Sequence, residues 1–313
     1  MQLKVDRLNK LQDIYGHTRR IIHKKISKLL LSAGIFLLAA LFLFPLILTV
    51  TNSFMGQQEI DNSYSMVASY GSGEQNDTFA GSFARIRFIP SVVTVEQYYI
   101  ALVKRTRFLM MFWNSVIITV PIILGQIIVA SMAAYAFAKM RFPFRDPLFF
   151  LYIVVMMMPF QVTLVPNYII ADRFGLVGSW LSIILPGIFG TYGVFLLRQF
   201  MSYIPDAYLE SAKVDGAGQL RIFAGIVLPM SKVGVAALSI LIFIDNWNMV
   251  EQPLVFLQDA NRQPLSVYLS NINAGERGIA FAASTIYMLP MLLVFLYGEN
   301  YLVQGIQLSG MKA

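Results

Sequence analysis

Residues 108–138 read FLMMFWNSVIITVPIILGQIIVASMAAYAFA, and this segment decides the fold because none of its 31 side chains is charged. A helix needs roughly 20 apolar residues to cross the hydrocarbon core of a bilayer, which is about 30 Å thick. In that core the backbone must satisfy its own hydrogen bonds, so a helix is the expected form. The segment therefore predicts a membrane-spanning helix.

The rest of the chain repeats this pattern. Of its 313 residues 57% are hydrophobic and 13% are charged, whereas soluble domains carry about 25% charged residues. Four more segments lack charge over more than 20 positions each, namely 29–58, 147–171, 174–197 and 278–298. The composition predicts an all-α, polytopic membrane protein.

A sixth span is less regular than the others. Residues 233–244 are free of charge, and Asp245 follows them directly. We extend this helix to about residue 250, which gives six spans with both termini in the cytoplasm. The alternative is a buried or re-entrant helix here and five spans in total.

Basic residues set the predicted orientation. Eight of them fall in the segment 1–28, which the positive-inside rule places in the cytoplasm, before a first span at 29–51. Alternation then gives an extracytoplasmic loop at 52–110, a five-helix core at 111–303 and a cytoplasmic tail at 304–313. Sixteen of the 24 basic residues lie on the inner side. Lys104, Arg105 and Arg107 are exceptions on the outer side, where we expect an interfacial helix.

Other residue types exclude several classes of function. The chain has no cysteine, its two histidines both lie in the first 28 residues, and no glycine precedes a lysine as a phosphate loop requires. We therefore predict no catalytic site, no metal and no cofactor in this chain. Acidic residues are scarce within the spans, which argues against an ion-coupled secondary transporter. That class remains the alternative to a membrane subunit that takes its energy from a partner.

The most informative inner loop is 201–231, in which residues 203–229 read YIPDAYLESAKVDGAGQLRIFAGIVLP. Asp206 favours a helix N-terminus, and Gly216 can end that helix in a left-handed conformation. One face of the helix would be charged, with Asp206, Glu210 and Lys213, and the other would carry Tyr208, Leu209 and Ala212. Such a helix suits insertion into a groove on a soluble partner. The alternative is a loop that packs on the membrane surface.

The order Glu210-Ser211-Ala212, three residues, Gly216 and then Ile226-Val227-Leu228-Pro229 resembles the EAA loop of ABC importer permeases. The variant is similar to the second permease of maltose-type carbohydrate importers, with Ser211 where the loop's name implies alanine. Further fragments in the same order extend the resemblance over most of the chain from Tyr98 onward, at 133–143, 158–166, 247–254 and 304–312. The loop at 52–95 is longer and more polar than the family pattern.

The resemblance implies a permease that moves a sugar or oligosaccharide across the bacterial cytoplasmic (inner) membrane by alternating access. Its partners would be membrane lipid, a second homologous permease, two cytosolic ATPase subunits that carry ATP and Mg, and an extracytoplasmic solute-binding protein, with no nucleic acid. The residues that would contact the ATPase are Glu210, Ser211, Ala212, Asp215 and Gly216.

Two further groups are candidate transport residues. A carboxylate inside a membrane protein is costly unless it is paired or hydrated, so Asp245 with Asn246 and Asn248 is a candidate pathway or gate. Trp247 between them is expected to be structural. By resemblance, the outer loop at 251–277 would touch the binding protein through Asp259, Asn261, Arg262 and Gln263. The alternative for that loop is a solvated surface segment.

Overall fold

The computed structural model describes residues 2–71, 87–272 and 276–310. These described residues form helices joined by short loops and contain no β-strand. The helices are α1 (Gln2–Asn52), α2 (Gln57–Gly71), α3 (Glu96–Tyr99), α4 (Thr106–Lys139), α5 (Arg145–Met156), α6 (Phe160–Arg173), α7 (Leu181–Ile188), α8 (Thr191–Ser202), α9 (Asp206–Val214), α10 (Gln219–Ile222), α11 (Leu228–Met230), α12 (Lys232–Trp247), α13 (Glu251–Phe256), α14 (Leu265–Ser270) and α15 (Arg277–Gly310). Wider π-helical turns at Ile100–Lys104 and Phe223–Val227 extend α3 and link α10 to α11.

Four stretches are long and apolar enough to cross a membrane, namely Ser27–Asn52, Thr106–Lys139, Leu181–Ser202 and Arg277–Val303. Two bent pairs meet the same criteria together. One joins α5 to α6 at 102°, and the other joins Gln219–Met230 to α12 at 75°. The described residues thus hold four to six candidate spans, and six result if each bent pair counts as one.

The segment 147–171 is not the single straight helix that its lack of charge predicts. It breaks at Met157–Pro159, between α5 and α6. Proline disfavours helical backbone in the residue before it and cannot donate a backbone hydrogen bond, so Pro159 ends one helix and precedes the next. The sixth predicted span also differs, because α12 stops at Trp247 rather than at residue 250.

The helix α4 forms the centre of the fold. It packs against α7, α8, α12 and α14, and its residues Ile122 and Ala134 are buried in the largest apolar core together with Leu197 and Leu238. Close packing depends on small residues: a Cβ on Gly125 would lie 2.6 Å from the Ile188 side chain. The absence of a side chain at Gly125 therefore permits the close approach of α4 and α7.

The outer segment is more ordered than its sequence indicates. Residues 61–82 are rich in serine, glycine, asparagine and glutamine, a composition that predicts an exposed irregular insertion. The helix α2 nevertheless covers this segment up to Gly71, and the remainder, 72–82, lies outside the described residues. The Glu59 carboxylate accepts hydrogen bonds from the Ser91 backbone N–H (2.9 Å) and hydroxyl (2.8 Å), which fasten α2 to the segment before α3. A short helix, α3 with its π-helical turn, precedes α4 and ends at Lys104, whereas Arg107 lies in α4 itself. The position of this helix at the membrane interface stays a prediction.

The predicted terminal segments are continuous with spanning helices. The helix α1 starts at Gln2 and continues through the first span, so the segment 1–28 is not a separate unit. In the same way, α15 continues through residues 304–310 of the predicted tail. Residues 27–47 of α1 have exposed and mostly apolar side chains (Phe36 is 76% exposed), and within the chain α1 packs on α15.

Candidate functional site: the loop between α8 and α12

The helix α9 ends in a left-handed glycine cap, as the sequence predicts. Gly216 has φ +78°. Its N–H donates to the Lys213 carbonyl (3.0 Å), and the Ala217 N–H reaches back to the Ala212 carbonyl (2.9 Å). This pair of hydrogen bonds defines a Schellman motif, which satisfies helix carbonyls and turns the chain sharply. The cap therefore fixes the angle between α9 and α10.

The two faces of α9 have different surroundings. Leu209 and Ala212 are buried, whereas Glu210, Ser211, Asp215 and Gly216 are exposed. Val214 at the tip is 88% exposed. Four of the five predicted coupling residues therefore point away from the permease body, and Ala212 packs inward into its core. Tyr208, which the sequence places on the same side as Leu209 and Ala212, is 54% exposed and adds aromatic surface to the outer face.

Lys139, at the end of α4, anchors the start of α9. Its ammonium donates to the Ile204 carbonyl (2.5 Å) and to Oδ1 of Asp206 (2.7 Å), and its side chain is 6% exposed. This hydrogen bond, followed by the Lys139 charge, holds the pKa of Asp206 below its ordinary value. The sequence alone does not reveal this role of Lys139, since it shows only that Lys139 is the first charged residue after the span.

The second arm of the loop is also attached to α4. The Tyr135 hydroxyl donates to Oε1 of Gln219 at 2.7 Å, and its ring lies 5.4 Å from that of Phe223. Tyr135 and Lys139 are one helical turn apart, so they hold α10 and α9 to the same end of α4. A force on the loop would therefore reach the central spanning helix directly.

Two of the three predicted pathway residues line a groove of about 910 Å³ between α4, α6, α8 and α12. Asp245 and Asn246 border it, and Asn248 borders an adjoining groove with Asp245 and Glu251. Polar side chains that sequence analysis did not single out complete the lining: Gln126, Thr163, Asn167, Thr191 and Gln252. In the sequence, these residues can be recognised only as amides and hydroxyls within apolar segments.

Trp247 has the structural role expected for it. It is 2% exposed and stacks between Phe243 (5.2 Å) and Tyr287 (5.6 Å), which joins α12 to α15. The Tyr287 hydroxyl lies 2.7 Å from the Trp247 carbonyl and 3.0 Å from Oδ1 of Asn248, and its one hydrogen is shared between these two acceptors. Asn248 is thus held at the edge of its groove by the aromatic stack.

The predicted binding-protein loop is an exposed tip on a firm base. Asp259, Asn261 and Arg262 are exposed, whereas the half-buried Gln263 donates to the Leu257 carbonyl (2.9 Å) inside the loop. Trp180 donates to the Arg262 carbonyl (2.9 Å), and the Arg262 guanidinium donates to the Gly178 carbonyl (2.8 Å). The loop therefore presents three polar side chains from a fixed backbone.

Residues 126–307 match the family described as binding-protein-dependent transport system inner membrane component. The match covers more than half of the chain, including the loop with α9 and the groove.

The chain belongs to this family. It is a multi-pass inner-membrane component of a transport system, and this membership favours the ATP-driven permease over the ion-coupled carrier.

This permease is similar to several curated transport proteins. It is 34% identical to the sn-glycerol-3-phosphate transport system permease protein UgpE of Pectobacterium atrosepticum. That alignment spans 206 residues, which are 64% of this chain and 73% of UgpE. Identity to the arabinooligosaccharides transport system permease protein AraQ of Halalkalibacterium halodurans is 28% over 228 residues, which are 72% of this chain and 82% of AraQ. Identity to the osmoprotective compounds uptake permease protein GgtD of Synechocystis is 35% over 209 residues, which are 64% of this chain and 70% of GgtD.

The fold is also found in a solved structure. The permease superposes with a TM-score of 0.73 on a chain from the crystal structure of a bacterial ABC transporter involved in the import of the acidic polysaccharide alginate. The superposition covers 88% of this chain and 96% of that one, at 20% sequence identity. The likeness shows that this permease has the fold of an ABC importer subunit.

Proposed function

We propose that this permease carries a sugar or oligosaccharide inward by alternating access, driven by cytosolic ATPase subunits that bind α9. In this proposal ATP and Mg stay on the ATPases, a second homologous permease completes the pathway, and an extracytoplasmic binding protein delivers the solute. The observation that carries the proposal is the geometry of α9. It is a short, rigidly capped helix with an exposed charged and apolar tip, and it is attached to the central span by Lys139.

The groove beside Asp245 supports a carbohydrate as the solute. Its polar lining consists mainly of amides and hydroxyls, which match the hydrogen-bonding groups of a sugar. Its charged lining among the described residues is acidic, from Asp245 and, in the adjoining groove, Glu251. The relatives include permeases named for the anionic sn-glycerol-3-phosphate and for arabinooligosaccharides. Of these two solutes, the acidic lining of the groove favours the uncharged oligosaccharide.

Affinity purification of the tagged permease from its native membrane tests the partners. We expect a second permease, an ATPase and a binding protein to co-purify. The complex, reconstituted in proteoliposomes, should then accumulate labelled oligosaccharide only with internal ATP and the added binding protein. Accumulation driven by an ion gradient, without ATP, would contradict the proposal.

The substitution Glu210→Lys tests the contact of α9 with the ATPase. Glu210 is exposed on the outer face of α9, so reversal of its charge should leave folding intact and oppose docking. We expect ATP-driven uptake in proteoliposomes to fall about tenfold or more, with unchanged amounts of permease in the membrane. The matched control is Asp172→Lys, an equal reversal at an exposed site at the end of α6. Full uptake by the Glu210→Lys permease would exclude a role of Glu210 in docking.

A further inference from the structure

Three cationic side chains lie outside both the loop between α8 and α12 and the groove beside Asp245. Lys104, Arg105 and Arg107 fall on the predicted outer side, against the positive-inside pattern. In the structure they line a cavity of about 490 Å³ between the start of α4 and α14. Phe108, Tyr268 and Glu276 are among the other lining residues. The cavity brings the exceptional charges together at one site.

Most of the positive charge in this cavity is unneutralised. Arg105 forms an ion pair with Glu276, at 2.7 Å between its guanidinium and Oε1. Lys104 lies over the Tyr99 ring, 5.7 Å from its centroid, and forms no ion pair within the described parts of the chain. Arg107 is exposed and likewise has no ion pair there. Two cations therefore remain available for a ligand with negative charge.

The cavity does not face the lipid side of α4. Its wall is formed by Phe108 and Met111, both of which are buried against α14 and α15. The opposite side of α4 carries the exposed apolar stripe that lipid or a neighbouring subunit would cover, with Leu109, Trp113 and Leu124. An anion in the cavity would therefore approach from the aqueous outer side rather than from the bilayer.

The cavity is continuous with the exposed tip at 259–262. Gln263, which follows that tip, lines the cavity. The Asn114 amide donates to the carbonyls of Asn261 (2.7 Å) and Gln263 (3.0 Å). These bonds fix the tip against α4, which bears Arg107 and directly follows Lys104 and Arg105. Arg262 adds a fourth cation to this surface, 3.9 Å from Asp259. One outward surface thus combines a polar tip with an adjacent basic cavity.

We propose that this cavity receives an acidic side chain of the extracytoplasmic binding protein, with Lys104 and Arg107 as the residues that bind its carboxylate. The proposal rests on the proposed function, since it assigns a second contact to the partner that the tip at 259–262 would touch. Complementary charges raise the rate of association and fix the orientation of the complex, and they add less to affinity when they are exposed to water. The cavity would thus orient the binding protein over the groove.

The test uses the reconstituted complex and the binding protein that supports uptake by the wild-type permease. In the double variant Lys104→Glu with Arg107→Glu, we expect the binding-protein concentration that gives half-maximal uptake to rise about tenfold or more. The maximal rate and the amount of assembled complex should not change. The control Lys104→Arg with Arg107→Lys keeps both charges and should behave as the wild type. The difference in half-saturating binding-protein concentration between the Glu double variant and the charge-conserving double variant should shrink as ionic strength rises.

Two outcomes would overturn the assignment. A half-saturating concentration within twofold of the wild type would show that these cations do not contact the binding protein. A shift that requires anionic phospholipid in the vesicles would assign the cavity to a lipid headgroup instead. Wild-type uptake that needs no binding protein would contradict the proposed function itself, so the two failures can be distinguished.

Discussion

At the scale of single residues, Gly216 has the strictest requirement in the coupling loop. Its φ of +78° lies in the left-handed region, where a side chain costs about 1–2 kcal/mol because the Cβ crowds the following carbonyl. Nothing lies within 4 Å of a Cβ built at this position, so conformation rather than space limits substitution. The cap is therefore sensitive to substitution of Gly216, in a surface loop that otherwise tolerates substitution.

The substitution Gly216→Val should change the angle between α9 and α10 and uncouple ATP hydrolysis from transport. We expect uptake in proteoliposomes to fall about tenfold while membrane insertion is preserved. The matched control is Gly218→Val, since Gly218 also has open space around it but an ordinary φ of −70°. Equal uptake by the two variants would show that the cap geometry does not matter for coupling.

At the scale of helices, one charged pair joins the start of α9 to α4, beside the burial of Leu209 and Ala212. Lys139 is nearly enclosed, whereas the Asp206 side chain is 73% exposed, so the carboxylate holds a buried cation from the solvent side. A carboxyl whose pKa is lowered by folding contributes stability above its unfolded pKa, and loses that contribution as pH falls through the folded pKa. The attachment should therefore be independent of pH near neutrality.

Acid titration should release α9 only below the ordinary pKa of an aspartate, which is near 3.8. A fluorophore attached at Val214→Cys should report a constant environment between pH 8 and 5 and a change below about pH 4. The same label in the Asp206→Asn permease should show no such transition, since the titrating group is absent. A transition between pH 5 and 7, or one that persists in the Asp206→Asn permease, would exclude this pair as its cause.

At the scale of the whole molecule, the proposal requires α9 and the tip at 259–262 to lie on opposite sides of the membrane. The chain contains no cysteine, so a single introduced cysteine is the only thiol in the chain that a maleimide can label. We expect Asn261→Cys to react with a membrane-impermeant maleimide in intact spheroplasts, and Val214→Cys to react only in inverted vesicles. Both positions are exposed in the structure. Reaction of Val214→Cys from the outside would refute coupling to cytosolic ATPases.

The sequence by itself determined the class of protein and the position of its main loop. Long charge-free segments are stable only as membrane spans, and this holds however the resulting helices pack. The end of α9 was predictable for a similarly local reason, because Gly216 follows an amphipathic stretch and favours the left-handed conformation. At Gly216 a single short stretch contains the whole physical cause, and the prediction agrees with the structure.

Tertiary structure alone decided the contacts between distant segments. The inward position of Ala212 and the exposure of Tyr208 depend on which side of α9 meets the core, and the spacing of residues along α9 does not specify that. The pairing of Lys139 with Asp206, 67 residues apart, and the grouping of Gln126 and Asp245 around one groove depend on how the spans pack. Such contacts follow from the burial of the whole helix bundle, and they are absent from any one helix considered alone.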